Sequence, residues 1–349
     1  MAAYHVGFSA RKARILAQFL AEPVLRLQNG RTPGAGDRIY AWGDAAVPDC
    51  EAAIIRVEDG FLRSVGLGAA FADPVSWVFD DSGLHHEGHK PTQLERIIRD
   101  LPDDPARDAR ACALAATVRA AGLTKYNVCD TPAPWRPPAT AADVSGASRR
   151  LLVIGQVAGD AALRAITTPV RGNIALLRAV RDSNPDAFIL YKRHPDVVAG
   201  LREGDDQQAL QYANDVIGQV GVDAVLRWAD EVHVMNSLFG FEALIRGARV
   251  VCHAAPFYAG WGLTDDRLSL PRRQVQRSLD QLLAAALILY PRYRDPRTRS
   301  ACTVETALNI LIETRRRRAS SPRSVLADAV RLCLGRLVKT FARTEKTKA

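Results

Sequence analysis

The chain has 349 residues, 48% hydrophobic and 24% charged, which supplies apolar material for about two domain cores and excludes a mainly disordered, collagen-like or disulfide-built protein. Its net charge of +9 sits at one end: Arg315–Ala349 holds eleven Lys and Arg against two acids, Asp328 and Glu345, leaving 36 basic and 36 acidic residues elsewhere. A neutral body argues against nucleic acid as a partner and assigns the basicity to a tail.

The longest apolar run, Leu282–Tyr290, is nine residues, short of the ~20 that a membrane-spanning helix needs. The N-terminal MAAYHVGFSARKAR has no apolar h-region or cleavage site, so export is not expected. Cys50, Cys112, Cys129, Cys252, Cys302 and Cys333 never form a CxxC pair. That pattern predicts buried thiols in a reducing compartment rather than zinc, iron–sulfur or disulfide frameworks.

In chain order, Tyr4–Gly7 predicts a strand that runs into a basic amphipathic helix, Arg11–Leu20. Arg38–Trp42, Ile54–Val57 and Ser76–Phe79 predict further strands, and Gln93–Asp100 and Ala106–Ala121 predict helices. Thr131–Arg150, with Pro132, Pro134, Pro137 and Pro138, reads as a linker. The pattern restarts with strand Leu151–Ile154, helix Asn173–Asp182, and strands Phe188–Tyr191, Val232–Met235 and Val250–Cys252. Strands alternating with helices predict two Rossmann-like units with parallel sheets: residues 1–130 and 151–314, joined by 131–150 and followed by a basic tail, 315–349. Ligands of parallel sheets sit beyond the carboxyl ends of the strands, so the strand ends carry the candidates.

Glu58-Asp59-Gly60 ends one strand. Side-chain alternation predicts that one of the two carboxylates faces the cleft, and a solvated turn is the alternative. Gly155-Gln156-Val157-Ala158-Gly159-Asp160 follows another strand, with Asp160 either functional or a helix cap. Lys192-Arg193-His194-Pro195 clusters cationic groups at a third, which reads as an anion site or a surface turn. Asn236-Ser237 precedes a helix that carries Glu242; the amides and hydroxyl suit a phosphate, with helix capping as the alternative. Pro256–Thr264 is an aromatic loop that suggests a sugar or base platform, or packing. His85, His86, Glu87 and His89 stand too close together in an exposed-looking turn to predict a metal. No GxxxxGK[ST], strand-following GxGxxG or HExxH is present.

The segments VEDGFLRSVGLG (Val57–Gly68), VFDDSG (Val78–Gly83), KYN (Lys125–Asn127), GQVAGD (Gly155–Asp160), KRHPD (Lys192–Asp196), SLFGFEAL (Ser237–Leu244), PFYAGWGLT (Pro256–Thr264) and LDQLLAAALILYPRYRDP (Leu279–Pro296) resemble the KpsC family of bacterial capsule-biosynthesis enzymes. The likeness extends from about Val6 to Glu305 and rests on many motifs in one order. It implies a GT-B fold and β-linked transfer of Kdo, a keto sugar acid, from CMP-Kdo without a metal or other cofactor. The implied acceptor is a glycolipid or Kdo-oligosaccharide, and other capsule-biosynthesis proteins are implied partners. The EDG and HP motifs are similar to those of bacterial sialyltransferases. Typical KpsC proteins carry two modules in tandem, and this sequence carries one.

A β product from a β donor calls for two displacements. On that resemblance Asp160 is the expected nucleophile and Glu58 the acid/base, with Asp59 in reserve. His194 and Ser237 would hold the CMP phosphate, Glu242 the ribose, and Lys192, Arg193 or Arg63 the Kdo carboxylate, with Gln156 a further donor-binding candidate. An inverting sialyltransferase-like enzyme and a non-catalytic glycolipid-binding module are the competing readings. Pro322–Phe341 places Val325, Leu326, Ala329, Val330, Cys333, Leu337 and Phe341 along one stripe. This predicts an amphipathic helix on an anionic membrane surface, hence a cytoplasmic protein peripheral to the inner face of the membrane.

Overall fold

The computed structural model describes residues 1–28, 30–66, 72–127, 135–137, 149–159, 168–200, 208–218 and 220–319. Two sheets form. The first has the order β13-β12-β5-β4-β3-β1-β2 and the second β11-β10-β9-β6-β7-β8. In the first, β1 (Ala3–Val6), β2 (Leu25–Arg26), β3 (Arg38–Trp42) and β4 (Ala53–Asp59) pair in parallel. The second consists of β6 (Arg150–Ile154), β7 (Phe188–Lys192), β8 (Asp215–Ile217), β9 (Glu231–Val234), β10 (Val250–Cys252) and β11 (Asp265–Asp266). It is parallel throughout.

The expectation of two parallel sheets needs correction in the first. There β5 (Ser76–Asp80) runs antiparallel to β4, and β12 (Pro291–Asp295) and β13 (Ser300–Cys302) continue the antiparallel series. An antiparallel neighbour needs no crossover helix, and a close contact fixes the return: a Cβ on Gly60 would lie 2.3 Å from Ser76 Oγ. The pairing sets Trp77 opposite Asp59, at the strand end where the candidate carboxylates lie. The assignment of 151–314 to one unit also changes, because β12 and β13 complete the first sheet.

Local signals account for the elements. Ser9 caps the helix Ala10–Leu20, which buries Ile15, Leu16 and Phe19; Thr92 caps Gln93–Arg99 and Asp104 caps Pro105–Ala120, with proline at the helix start. Most of the nine-residue apolar run lies on a core helix. Ser278 and Gln281 form a capping box, Leu279–Leu283 is α-helical and Ala284–Leu289 is π-helical. Leu282–Leu287 are at most 1% exposed. One contiguous core unites this helix with both sheets, from Phe61 and Val78 to Leu152, Val232 and Trp261. No helix among the described residues is long and apolar enough to cross a membrane.

Most of the expected linker, and residues 320–349 with the stripe of Pro322–Phe341, lie outside the described residues. The expected tail boundary at 315 falls inside the helix Val304–Ala319, and Arg315 donates to the carbonyls of Ala121 and Gly122, both at 2.7 Å. Of the thiols expected to be buried, Cys252 is buried and Cys112 is exposed on the helix Pro105–Ala120.

Candidate active site

Glu58 and Asp59 end β4 and are both partly buried. Asp59 is fixed at both oxygens: Trp77 Nε1 donates to Oδ1 at 3.1 Å, and Arg63 Nε lies 2.7 Å from Oδ2. Glu58 accepts the Asp59 N–H at 2.9 Å. Burial raises the Glu58 pKa and the Asp59 charge adds to it, against smaller opposing pulls from Lys125 and Lys12. The alternation expected from a strand therefore separates the pair chemically. Asp59 belongs to an ion pair, while Glu58 has an enhanced hold on its proton.

Lys125 and Tyr126, which sequence reasoning did not place in the site, connect this strand end to the second sheet. Asn127, in the left-handed region at φ 49°, closes the turn by exchanging hydrogen bonds with Thr124, and its amide donates to Ser64 O at 2.9 Å. Lys125 O accepts from the amides of Arg63 and Ser64, so KYN and the segment after EDG are bound together. The Lys125 amide donates to Glu242 Oε1 at 2.8 Å, reaching across to the helix Phe239–Ile245. Burial works to lower the Lys125 pKa, but Tyr126, Asp59 and Glu58 outweigh it and hold the ammonium above its ordinary value. Tyr126 also senses Asp196, next to the HP motif. The available signal was the KYN triplet itself, which has no meaning by spacing alone.

At the end of β7, Lys192 is buried and donates to Gly218 O at 3.1 Å, while Arg193 is exposed. His194 caps the short helix Pro195–Val198, its Nδ1 accepting from the Asp196 amide at 3.1 Å. An accepting Nδ1 puts the proton of a neutral imidazole on Nε2. Arg63, expected as a sugar-carboxylate ligand, is 4% exposed and paired with Asp59. Gln156 is buried and tied to the end of β9: its Oε1 accepts the Asn236 amide at 2.8 Å, and Asn173 bonds its main chain at both ends. A Cβ on Gly155 would lie 2.3 Å from the Tyr191 hydroxyl, which explains glycine there. Asp160 lies outside the described residues.

Ser237 Oγ accepts from the Phe239 amide at 3.3 Å. Glu242 has its pKa raised by burial, against the Lys125 amide and the charges of Arg246 and Lys125. Pro256–Thr264 is not a ligand platform. Phe257, Tyr258 and Trp261 are at most 5% exposed, and Phe257 stacks on Phe61 with centroids 4.6 Å apart. Rings that serve as core have no face left for a sugar. The histidine segment is only in part the exposed turn expected: His85 is partly buried with its ring against Phe61, and His86 O accepts from Asn236, while His89 is exposed. No metal-binding cluster occurs among the described residues.

The chain is similar to known proteins over most of its length. The family described as "Capsule polysaccharide biosynthesis protein" matches residues 139–293. The capsule polysaccharide modification protein LipA of Neisseria meningitidis serogroup A is 40% identical over 325 residues, 88% of this chain and 45% of LipA. The lipopolysaccharide-processing protein LpsZ of Rhizobium meliloti is 39% identical over 72% of this chain and 57% of LpsZ. Two solved structures are similar over nearly their whole length. The β-Kdo 2,7 transferase of Thermosulfurimonas dismutans KpsC matches with TM-score 0.72 and 31% identity over 90% of this chain and 99% of that one. The β-Kdo 2,4 transferase of the same KpsC matches with TM-score 0.77 and 29% identity over 89% and 98%. The chain belongs to the KpsC-type capsule polysaccharide biosynthesis family. It spans about half the length of the curated relatives it matches.

Proposed function

We propose that this chain is a retaining β-Kdo glycosyltransferase of the GT-B type, which transfers Kdo from CMP-Kdo to a glycolipid or Kdo-oligosaccharide acceptor in the biosynthesis of capsule or a related surface polysaccharide. The observation that carries this reading is the match, over 98–99% of their length, to two Kdo transferase structures. In this reading residues 1–130, completed by β12 and β13, form the acceptor side and the second sheet binds the donor. The basic tail after the helix Val304–Ala319 holds the protein on the inner face of the cytoplasmic membrane.

CMP departs with a single phosphate, which the Nε2–H of His194 and the Ser237 hydroxyl stabilise without requiring a metal ion. Glu242 takes the ribose through Oε2, since Oε1 already accepts the Lys125 amide. Lys125 joins Arg193 and Lys192 as a cation for the Kdo carboxylate. In the first displacement the Asp160 carboxylate attacks the anomeric carbon and the bond to the CMP phosphate breaks, its electron pair leaving with CMP. In the second the acceptor hydroxyl gives its proton to Glu58 and attacks the same carbon, releasing Asp160. The raised proton affinity of Glu58 suits a group that must take and return a proton.

Asp160→Asn tests the chemistry. It should abolish transfer with little loss of stability, since asparagine caps helices as well as aspartate does. Wild-type enzyme incubated with CMP-Kdo alone should yield a Kdo-modified peptide containing Asp160 by mass spectrometry. Full activity in Asp160→Asn, or an adduct on Glu58, would overturn the assignment.

A further inference from the structure

His85 has no part in the mechanism above, yet it stands between the two sides of the candidate site. It lies in the segment that follows β5, where Asp80 Oδ1 accepts the amides of Ser82 and Gly83, and Glu87 Oε2 accepts the Leu84 amide at 2.6 Å. On the first-sheet side its ring meets Phe61, three residues beyond Glu58, with centroids 4.8 Å apart. On the other side, His86 O accepts from Asn236 Nδ2 at 2.9 Å, next to Ser237, and the Asn236 amide donates to Gln156 Oε1. The segment thus reaches from the end of β4 to the ends of β6 and β9. A sugar whose phosphate lies at Ser237 and whose new bond forms at Glu58 must occupy this interval.

The ring is immobilised. Phe61, Phe257 and Tyr290 meet it edge-on, at interplanar angles of 76°, 88° and 83°, and the Tyr290 hydroxyl is itself fixed by a 2.9 Å bond to Asp80 Oδ2. Nδ1 is shut off from solvent without a hydrogen-bond partner, although the residue as a whole is partly exposed. Among buried polar groups an orphaned N–H is rarer than an under-used acceptor, so the proton of the neutral imidazole belongs on Nε2. Burial keeps the ring neutral, with repulsion from His86 and Lys125 adding to it. An orphaned nitrogen also calls for a reason other than packing, since phenylalanine would fill the same aromatic niche without it. A neutral donor suits a hydroxyl oxygen; it cannot compensate an anion, the task given to Lys125, Lys192 and Arg193.

We propose that His85 donates a hydrogen bond from Nε2 to a hydroxyl oxygen of the sugar being transferred, in the interval between Ser237 and Glu58. The inference rests on the transferase reading and adds to it a residue that recognises the sugar rather than the nucleotide. A donor on a ring fixed by three aromatic neighbours orients the sugar with little ordering at the moment of binding.

The test uses the full chain carrying Asp160→Asn, chosen to prevent turnover, with and without His85→Phe, and titrates CMP-Kdo and CMP separately by calorimetry. His85→Phe should weaken CMP-Kdo about three- to tenfold, the loss of one neutral hydrogen bond, and leave CMP affinity unchanged. The melting temperature of the variant should equal or exceed that of its parent, because phenylalanine suits the aromatic niche and removes the orphaned nitrogen. In nitrogen-15 NMR spectra of the parent, the His85 Nε2 resonance, assigned by its loss in His85→Phe, should shift on adding CMP-Kdo and not on adding CMP. Undiminished CMP-Kdo affinity in folded His85→Phe overturns the proposal, and so does an equal weakening of CMP, which would put the contact on the nucleotide. Absence of CMP-Kdo binding to the parent would instead refute the transferase reading.

Discussion

Glu58 is a carboxyl group whose environment favours its neutral form, and that has a cost in stability. Burial and the adjacent Asp59 raise its pKa in the folded state. Between the ordinary carboxylate value and the raised one, the native chain holds more protons than the unfolded chain. Stability therefore falls as pH rises through that window. Glu58→Gln removes the penalty and keeps an acceptor for the Asp59 amide. The variant should melt above wild type at neutral pH and lose this advantage below about pH 4, where both states are protonated, while transfer is abolished. A lower melting temperature at neutral pH would mean that Lys12 and Lys125 stabilise the charged form more than burial opposes it. His194 gives a second prediction at this scale. His194→Ala should weaken CMP binding by about 1.5–3 kcal/mol, the loss of one hydrogen bond to a charged group, and unchanged affinity by calorimetry would remove His194 from the donor site.

At the scale of elements, the β4–β5 return holds the carboxylates in place. A Cβ on Gly60 would meet Ser76 Oγ at 2.3 Å and Ser76 Cβ at 2.8 Å, so Gly60→Ala must push β5 away and shift Trp77 from Asp59. About 1–3 kcal/mol of stability should be lost together with activity, and adding Ser76→Gly should recover part of both; a double variant no better than Gly60→Ala would argue against this contact. Eight of the strands were legible in the sequence because short apolar runs bounded by Gly, Asp and Pro are local signals, and Arg38–Trp42 and Val250–Cys252 appear as expected; β2, β8, β11, β12 and β13 were not expected. The direction of β5 was not legible, because strand polarity depends on the partner and not on the strand's own residues. Among site residues, Glu58, Asp59 and His194 stood out as charged or titratable groups at strand ends. Lys125 did not, since its significance comes from tertiary neighbours: the turn bonded to Arg63 and Ser64.

Across the whole molecule, buried ion pairs join segments distant in sequence. Glu95 on the helix Gln93–Arg99 meets Arg273 at 2.9 Å and Arg272 at 3.0 Å, with Glu95 and Arg273 each 3% exposed at the side chain. Arg273 also donates to the carbonyls of Pro256 and Ala259, so the pair fixes the aromatic loop to the helix. Glu95→Ala leaves a buried guanidinium without its carboxylate and should cost about 3–5 kcal/mol, read as a drop in the urea midpoint. Retained stability would show that Arg273 finds compensation in the loop carbonyls alone.

The return of the chain to its first sheet has a consequence for biogenesis. During synthesis every strand of the second sheet is available once Asp266 has been made, whereas the first sheet awaits β12 at Pro291–Asp295 and β13 at Ser300–Cys302. Until then β5, whose five residues are all buried in the finished protein, presents an unpaired apolar edge of the kind that recruits other nascent chains. The half that begins first is thus completed last, and nascent chains halted before residue 291 should be far more dependent on chaperones than chains halted after residue 319.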